Sequence, residues 1–220
     1  PLALDECVQG VVELLAPKAY EKGIDIAWAV DPRLPHVLLG DEVRLRQIVT
    51  NLVGNAIKFT DTGGVLVTVG RYQAAGAAHP AVADEVAVAI TVEDTGIGIA
   101  PEALPFLFFE FEQAEEAVRR RQGGTGLGLA ISRRLARAMS GDIFVVSVPE
   151  GGSTFTAVVR LKRSPEAVRA AEIKPATVAQ HVLLALDGPI ERRALQLSLQ
   201  GADIPVEECP IAEAGEMIGG

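Results

Sequence analysis

The chain has 220 residues, enough for one well-packed domain and part of a second. Its net charge of −9 at pH 7 argues against a nucleic-acid surface, because contact with a phosphate chain needs clustered Lys and Arg. A single nucleotide remains compatible with an acidic protein. No apolar run approaches the length of a bilayer span. Cys7 and Cys209 are far apart without partners at metal-ligand spacing, which predicts buried free thiols in a reducing compartment.

Apolar spacing and turn residues predict the elements in chain order. A first helix covers 4–19; Pro17 should kink or split it, and Gly23 is a plausible end. The following elements of this domain, 1–161, are a strand at 24–30, a helix from about Glu42 to Phe59, strands at 65–71 and 86–92, a helix at 126–139, and a hairpin of strands at 143–148 and 154–161. Residues 73–84 are Ala-rich and predict a variable loop.

The remaining residues divide into a linker and a short tail. Residues 162–178 contain two prolines and mixed charge, which is typical of a linker. Residues 179–220 predict a strand at 181–186 and a helix at 191–199. The sequence therefore indicates one full domain followed by a fragment.

The second predicted helix carries an unusual polar stripe. At about 100° per residue, Arg44, Gln47, Asn51, Asn55 and Lys58 fall within a narrow arc. Amides one turn apart suit a ligand-facing surface, since an amide oxygen can bind Mg²⁺ without adding negative charge, and the lysine can reach phosphate oxygens. A plain solvated helix face explains this segment equally well.

Two glycine-rich segments flank regular elements. In Asp94-Thr95-Gly96-Ile97-Gly98, the glycines allow close approach to a ligand after a buried strand, and Asp94 can accept a hydrogen bond from the amino group that distinguishes adenine from guanine. A β-turn with an Asp cap is the alternative. The segment 123–128 opens a helix, where backbone amides form an anion site, but it lacks the Lys-Ser/Thr of a P-loop.

Taken together, these segments resemble the ordered boxes of the catalytic domain of sensor histidine kinases, within the ATPase superfamily that includes the gyrase B subunit and MutL. The boxes are the N box at 41–60, a first glycine box at 94–99, a phenylalanine box at 108–113, a second glycine box at 123–131, and a closing strand motif at 152–155. Each box alone is weak, whereas their order along the chain is specific.

The resemblance implies an α/β fold, specifically an α+β two-layer sandwich: a mixed sheet covered on one face by helices, with a flexible ATP lid at 104–123. It implies ATP and Mg²⁺ as cofactors, with Asn55 as metal ligand and Asp94 on the adenine amino group, assisted by Thr154 through water. The other cofactor-binding residues that it implies are Gly96, Gly98, Gly124, Thr125, Gly126, Leu127 and Gly128. Its implied catalytic residues are Asn51, Lys58, Gln113 and Arg121.

Asn51 favours a kinase over an ATPase. Relatives that hydrolyse ATP carry a Glu general base at this position, one turn before the metal-binding Asn, and an amide cannot take a proton from water. The nucleophile would then be a histidine attacking the γ-phosphorus. His36, His79 and His181 do not lie on a plausible acceptor helix. We therefore expect the acceptor on a dimerisation domain outside this chain, in a parent that is a homodimer.

The tail resembles the opening strand and helix of a receiver domain. A receiver carries paired acids where this sequence has Leu186-Asp187, so we interpret residues 179–220 as a truncated or degenerate receiver-like segment of a hybrid kinase. A C-terminal helical extension that packs on the sheet or dimerises is the alternative. We expect a response regulator or receiver domain as partner, no nucleic acid, and a cytoplasmic location, with any membrane anchor elsewhere in the parent.

Two other functions remain open. A catalytically silent regulatory or scaffold homologue would keep the fold and act through protein contacts, which the degenerate tail suggests and the intact boxes oppose. A gyrase-like ATPase would release phosphate by itself, which Asn51 opposes.

Overall fold

The computed structural model describes residues 1–72, 84–109, 127–164, 182–184 and 186–209. Most of the predicted linker lies outside these ranges. No helix within them combines the length and apolar character needed to cross a bilayer. Cys7 and Cys209 are both free and buried, which confirms the expectation of free thiols.

The helices lie close to their predicted positions. They are α1 Leu4–Glu21, α2 Glu42–Phe59, α3 Gly128–Ala138 and α4 Pro189–Gly201, with a 3-10 turn at Leu104–Phe106. Pro17 does not split α1, because the helix continues through it, and the alternative prediction of a kink there stays a prediction. Pro17 is exposed, so water can satisfy the carbonyl that loses its amide partner.

The strands form one large sheet and a small pair. They are β1 Leu2–Ala3, β2 Asp25–Val30, β3 Val37–Leu39, β4 Gly64–Arg71, β5 Glu85–Asp94, β6 Asp142–Val148, β7 Gly152–Arg163, β8 Val182–Leu184 and β9 Val206–Glu208. The large sheet has the order β1-β3-β7-β5-β4-β2, and β6 also pairs with β7. Among the described strands of that sheet, only β2 and β4 pair in parallel, which confirms the mixed topology.

The main core lies between the helices and one face of the sheet. Alternate residues of β5 point toward it, including Val88, Ile90 and Val92. The apolar side of α2 packs on them through Ile48 and Leu52, among others. Burial of a side chain such as Leu52 stabilises the fold by roughly 1.5–3 kcal/mol. The polar stripe of α2 is thereby turned away from the sheet.

The opposite face of the sheet is covered in part by the tail. A second apolar cluster contains Ala27, Ala29 and Leu66 of β2 and β4, together with Ala194 of α4, and Ile190 packs against it. Small side chains let the helix approach closely: a Cβ added at Gly64 would lie 2.8 Å from Ile190 Cγ1. The tail helix α4 therefore packs directly on the large sheet.

Candidate functional site

Helix α2 begins with a side-chain cap and presents the predicted polar stripe. The carboxylate of Asp41 accepts a hydrogen bond from the Arg44 amide (3.1 Å) and fixes the first turn. Asn51, Asn55 and Lys58 are all partly buried, in contrast to the exposed Gln47 at the start of the helix. The stripe therefore ends in a sheltered region, where a ligand can displace water from these side chains.

Asn51 joins α2 to the start of α3. Its Nδ2 donates a 3.0 Å hydrogen bond to Oγ of Ser132, which is buried. A Cβ added at Gly128 would lie 2.2 Å from Asn51 Oδ1, so a larger residue there would displace the Asn51 side chain. The predicted catalytic role of Asn51 remains a prediction, and its described contact is a structural one.

The first turn of α3 is suited to an anion. Leu127 precedes Gly128 and makes no side-chain capping hydrogen bond to the helix. Amides at a helix start with no side-chain cap carry partial positive charge and bind phosphate groups readily. Lys58 lies on the neighbouring helix with its ammonium 4.8 Å from the centroid of the Phe59 ring. These positions fit the predicted phosphate side of the site.

Asp94 ends β5 as a buried carboxylate, with 6% of its surface exposed. Its Oδ1 accepts hydrogen bonds from the amides of Gly96 (2.9 Å) and Ser153 (3.2 Å). Burial raises the pKa of Asp94 above its ordinary value, although these two hydrogen bonds act in the other direction. Both hydrogen bonds from the described residues end on Oδ1, so Oδ2 can accept a donor from a ligand.

The loop after Asp94 is tied to α2 and to the β6–β7 hairpin. The Ile97 amide donates to the Phe59 carbonyl (3.2 Å), and a Cβ added at Gly96 would lie 2.3 Å from that same oxygen. Gly98 passes equally close to Val148, where an added Cβ would lie 2.0 Å from the carbonyl oxygen. The predicted adenine loop therefore lies against the C-terminal end of the predicted N box.

Two serines that sequence reasoning missed hold this loop in place. The hydroxyl of Ser147 accepts a 2.8 Å hydrogen bond from the Ile99 amide and donates to the Gly152 carbonyl (2.9 Å). It also lies 3.0 Å from the Ser153 hydroxyl. Ser147 lies opposite Ser153 in the β6–β7 register, and this pairing is the signal that could have revealed the contact.

The predicted place of Thr154 beside Asp94 was wrong. In the β5–β7 register Asp94 pairs with Ser153, whereas Thr154 pairs with Glu93. Side chains of directly paired residues share a face of the sheet, and successive residues alternate between faces. Thr154 therefore lies on the face opposite Asp94, and Ser153 is the hydroxyl residue on the Asp94 side.

Several predicted site residues lie outside the described ranges: Gln113, Arg121, Gly124, Thr125 and Gly126. Among the residues that are described, no group of three or more His, Cys, Asp or Glu side chains could hold a metal ion. Asn55 lies on the sheltered part of α2, where an amide oxygen could act as one ligand beside phosphate oxygens and water. Its role as a Mg²⁺ ligand stays a prediction.

The arrangement matches a known ATPase family. Residues 40–163 match the family model described as "Histidine kinase-, DNA gyrase B-, and HSP90-like ATPase", which is more than half of the chain. The chain belongs to this family. The match extends from the residue before the α2 cap to the end of β7 and so contains Asn51, Asn55, Asp94 and the start of α3.

Curated relatives are hybrid or sensor kinases. The chain is 42% identical over 157 residues to hybrid signal transduction histidine kinase L of Dictyostelium discoideum, covering 71% of this chain and 9% of that protein. It is 38% identical over 168 residues to histidine-protein kinase BarA of Escherichia coli, covering 76% and 18%. Sensor histidine kinase GacS of Pseudomonas protegens is 35% identical over 215 residues, covering 97% and 22%. The chain thus spans less than a quarter of these relatives.

Solved structures show the same fold. Full-length ShkA in complex with AMPPNP superimposes with a TM-score of 0.76 at 35% identity, covering 98% of this chain and 42% of that one. The nucleotide-free catalytic domain of histidine kinase ThkA superimposes with a TM-score of 0.54 at 26% identity, covering 76% of this chain and 96% of that domain. The likeness to ShkA therefore includes most of the tail, and the likeness to ThkA supports the α+β fold.

Proposed function

We propose that this chain is the ATP-binding catalytic domain of a hybrid sensor histidine kinase, which transfers the γ-phosphoryl group of Mg-ATP to a histidine outside the chain. The buried carboxylate of Asp94 carries the proposal. Its Oδ1 is held by two backbone amides, and its Oδ2 would accept a hydrogen bond from the adenine amino group. Guanine has a carbonyl oxygen at the corresponding edge, so this acceptor favours adenine.

The triphosphate would lie between α2 and the first turn of α3. The amides after Leu127 would bind phosphate oxygens, and Lys58 would neutralise part of their charge. Mg²⁺ would bind Asn55 together with phosphate oxygens and water, which suits its preference for oxygen ligands and for keeping part of its hydration. Gln113 and Arg121 complete the proposed catalytic set near the γ-phosphate.

Asn51 favours phosphoryl transfer over hydrolysis. Its amide is occupied by a hydrogen bond to Ser132, and an amide has no basic site that could deprotonate water. ATP would thus be retained until an imidazole nitrogen attacks the γ-phosphorus in line. The γ-phosphorus–oxygen bond then breaks, ADP departs, and catalysis rests on positioning and charge neutralisation.

The tail supports a hybrid parent. Strands β8 and β9 pair in parallel and are connected through α4, which is the strand–helix–strand unit that opens a receiver-like fold. The alignment with GacS covers 97% of this chain and so includes tail residues. We infer a homodimeric parent with a dimerisation domain bearing the acceptor histidine, a receiver domain or response regulator as partner, and a cytoplasmic location where ATP is available.

Asp94→Asn with Thr154→Val as matched control tests the adenine contact. Both positions lie at the paired ends of β5 and β7, but their side chains lie on opposite faces. Loss of a hydrogen bond to a charged group costs roughly 1.5–3 kcal/mol, so Asp94→Asn should weaken binding of a non-hydrolysable ATP analogue roughly 10- to 100-fold. Thr154→Val should leave the affinity within about twofold. Equal affinities for all three proteins in calorimetry would refute the adenine site.

Transfer is tested with a separately purified dimerisation domain that carries the acceptor histidine. With Mg-ATP and this chain, acid-labile phosphohistidine should form, and the chain alone should release almost no phosphate. Tight nucleotide binding without transfer would favour the regulatory or scaffold function instead. Steady phosphate release by the chain alone would favour a gyrase-like ATPase.

A further inference from the structure

One guanidinium group joins three elements on the phosphate side of the site. Arg133 of α3 donates from Nε to Asp142 Oδ1 (2.7 Å) and from Nη2 to Asp142 Oδ2 (3.2 Å), a two-pronged contact with the start of β6. The same guanidinium carbon lies 4.6 Å from the centroid of the Phe108 ring. Phe108 follows the 3-10 turn and packs against the main core.

This contact is more than an exposed ion pair. The side chains of Arg133 and Asp142 are only 32% and 25% exposed. Burial acts to raise the pKa of Asp142, but hydrogen bonds from Arg133, Arg137 and the Ile143 amide outweigh it and lower the pKa to about 2. A planar guanidinium can use its edge for a carboxylate and its face for an aromatic ring at once, which a lysine cannot.

Ser132, the residue before Arg133, makes a second contact that also holds α3 in place. Ser132 binds Asn51 on α2, and the next residue, Arg133, projects about 100° further round the helix, toward Phe108 and Asp142. The contacts of Ser132 and Arg133 point in different directions and lie one turn after Gly128. Together they fix the position of α3 along its axis and its rotation about that axis. The direction of the first-turn amides of α3 depends on both.

We propose that Arg133 is a positioning residue for phosphate binding. Its contact with the Phe108 ring and its hydrogen bonds to Asp142 hold the first turn of α3 in the orientation in which its amides point toward the triphosphate. Arg133 itself does not touch the nucleotide. The inference rests on the proposed function, because it assumes that those amides bind phosphate.

Arg133→Ala, with Arg137→Ala as matched control, tests the proposal. Arg137 also donates to Asp142 Oδ2 (3.1 Å), but its side chain is 56% exposed and no ring contact of it occurs in the described part of the chain. Calorimetry should show Arg133→Ala binding a non-hydrolysable ATP analogue roughly tenfold more weakly, with a smaller loss for ADP. Arg137→Ala should stay within about twofold for both ligands. Equal losses for ATP analogue and ADP, or no loss, would overturn the proposal.

Two further variants separate positioning from general stability. Arg133→Lys keeps the positive charge and a long side chain. It should bind the ATP analogue more tightly than Arg133→Ala but more weakly than the unaltered chain, because an ammonium group cannot bind a carboxylate with two parallel hydrogen bonds and stack on a ring at the same time. Phe108→Leu keeps an apolar side chain, and combined with Arg133→Ala it should cause no further loss of affinity. Full rescue by Arg133→Lys, or additive losses in the double variant, would overturn the proposal. If the unaltered chain fails to bind the ATP analogue, the proposed function fails instead.

Discussion

Gly152→Ala probes how tightly the adenine loop is built. Gly152 has a φ of +87°, and a Cβ there would lie 1.9 Å from the Asp94 carbonyl oxygen. The left-handed conformation costs a residue with a Cβ roughly 1–2 kcal/mol, and overpacking against the backbone adds roughly 1–3 kcal/mol. We expect the free energy of unfolding to fall by about 3 kcal/mol, which lowers Tm by roughly 6–12 °C for a chain of this size.

Gly151→Ala is the matched control for this prediction. Its φ is not positive, and the nearest atom to an added Cβ is Val148 Cβ at 3.3 Å, so the free energy of unfolding should change by about 0.5 kcal/mol or less. Thermal unfolding and urea titration measure both variants. In calorimetry at a temperature where it is folded, Gly152→Ala should also bind the ATP analogue roughly tenfold more weakly, because the Ser153–Asp94 hydrogen bond is displaced. Indistinguishable Tm values for the two variants would refute the reasoning.

Three further changes test other parts of the fold. Ala194→Glu puts a charge against Leu66 and should release the tail helix, seen as faster proteolysis within 189–201; an unchanged cleavage rate would contradict this packing. The pKa of Asp142 is about 2 in the fold against an ordinary 3.8. The ionised carboxylate therefore contributes about 2 kcal/mol or less to the free energy of unfolding above about pH 4, and this contribution is lost as the pH falls toward 2. Asp142→Asn should flatten the urea-stability profile in that window, and an unchanged slope would contradict the assignment. Gly54→Ala, inside α2 with open space around an added Cβ, should stabilise the fold by about 1 kcal/mol in urea titration, whereas a loss would indicate an unseen close contact.

Features with strong local causes could be predicted from the sequence. Helix α2 runs from Glu42 to Phe59 as expected, because Asp41 caps it and its apolar period is regular. Strand β5 covers the predicted apolar residues 86–92 and ends at Asp94, as expected from the sequence. In the structure α2 contacts both the loop after Asp94 and α3, whereas the binding roles of these segments stay predictions.

Features that depend on pairing between distant segments could not be predicted. Strands β1 and β3 are too short to show a period; β3 forms against the edge of β7, and β1 in turn pairs with β3. The error at Thr154 was a shift of one residue, which in a strand reverses the face. Packing of α4 on the sheet depends on small residues such as Ala194, which carry little pattern of their own.

The hydrogen bond between Asn51 and Ser132 has a consequence for interconversion within this ATPase family. If Asn51 were replaced by Glu to create a water-activating base, the longer side chain would have to fit beside the Ser132 hydroxyl and Gly128, both of which lie next to the Asn51 amide group. The single substitution Asn51→Glu is therefore expected to disturb the contact between α2 and α3 as well as to change the chemistry of the site. We expect that sequence changes which convert one activity of this family into the other include substitutions on both helices, α2 and α3.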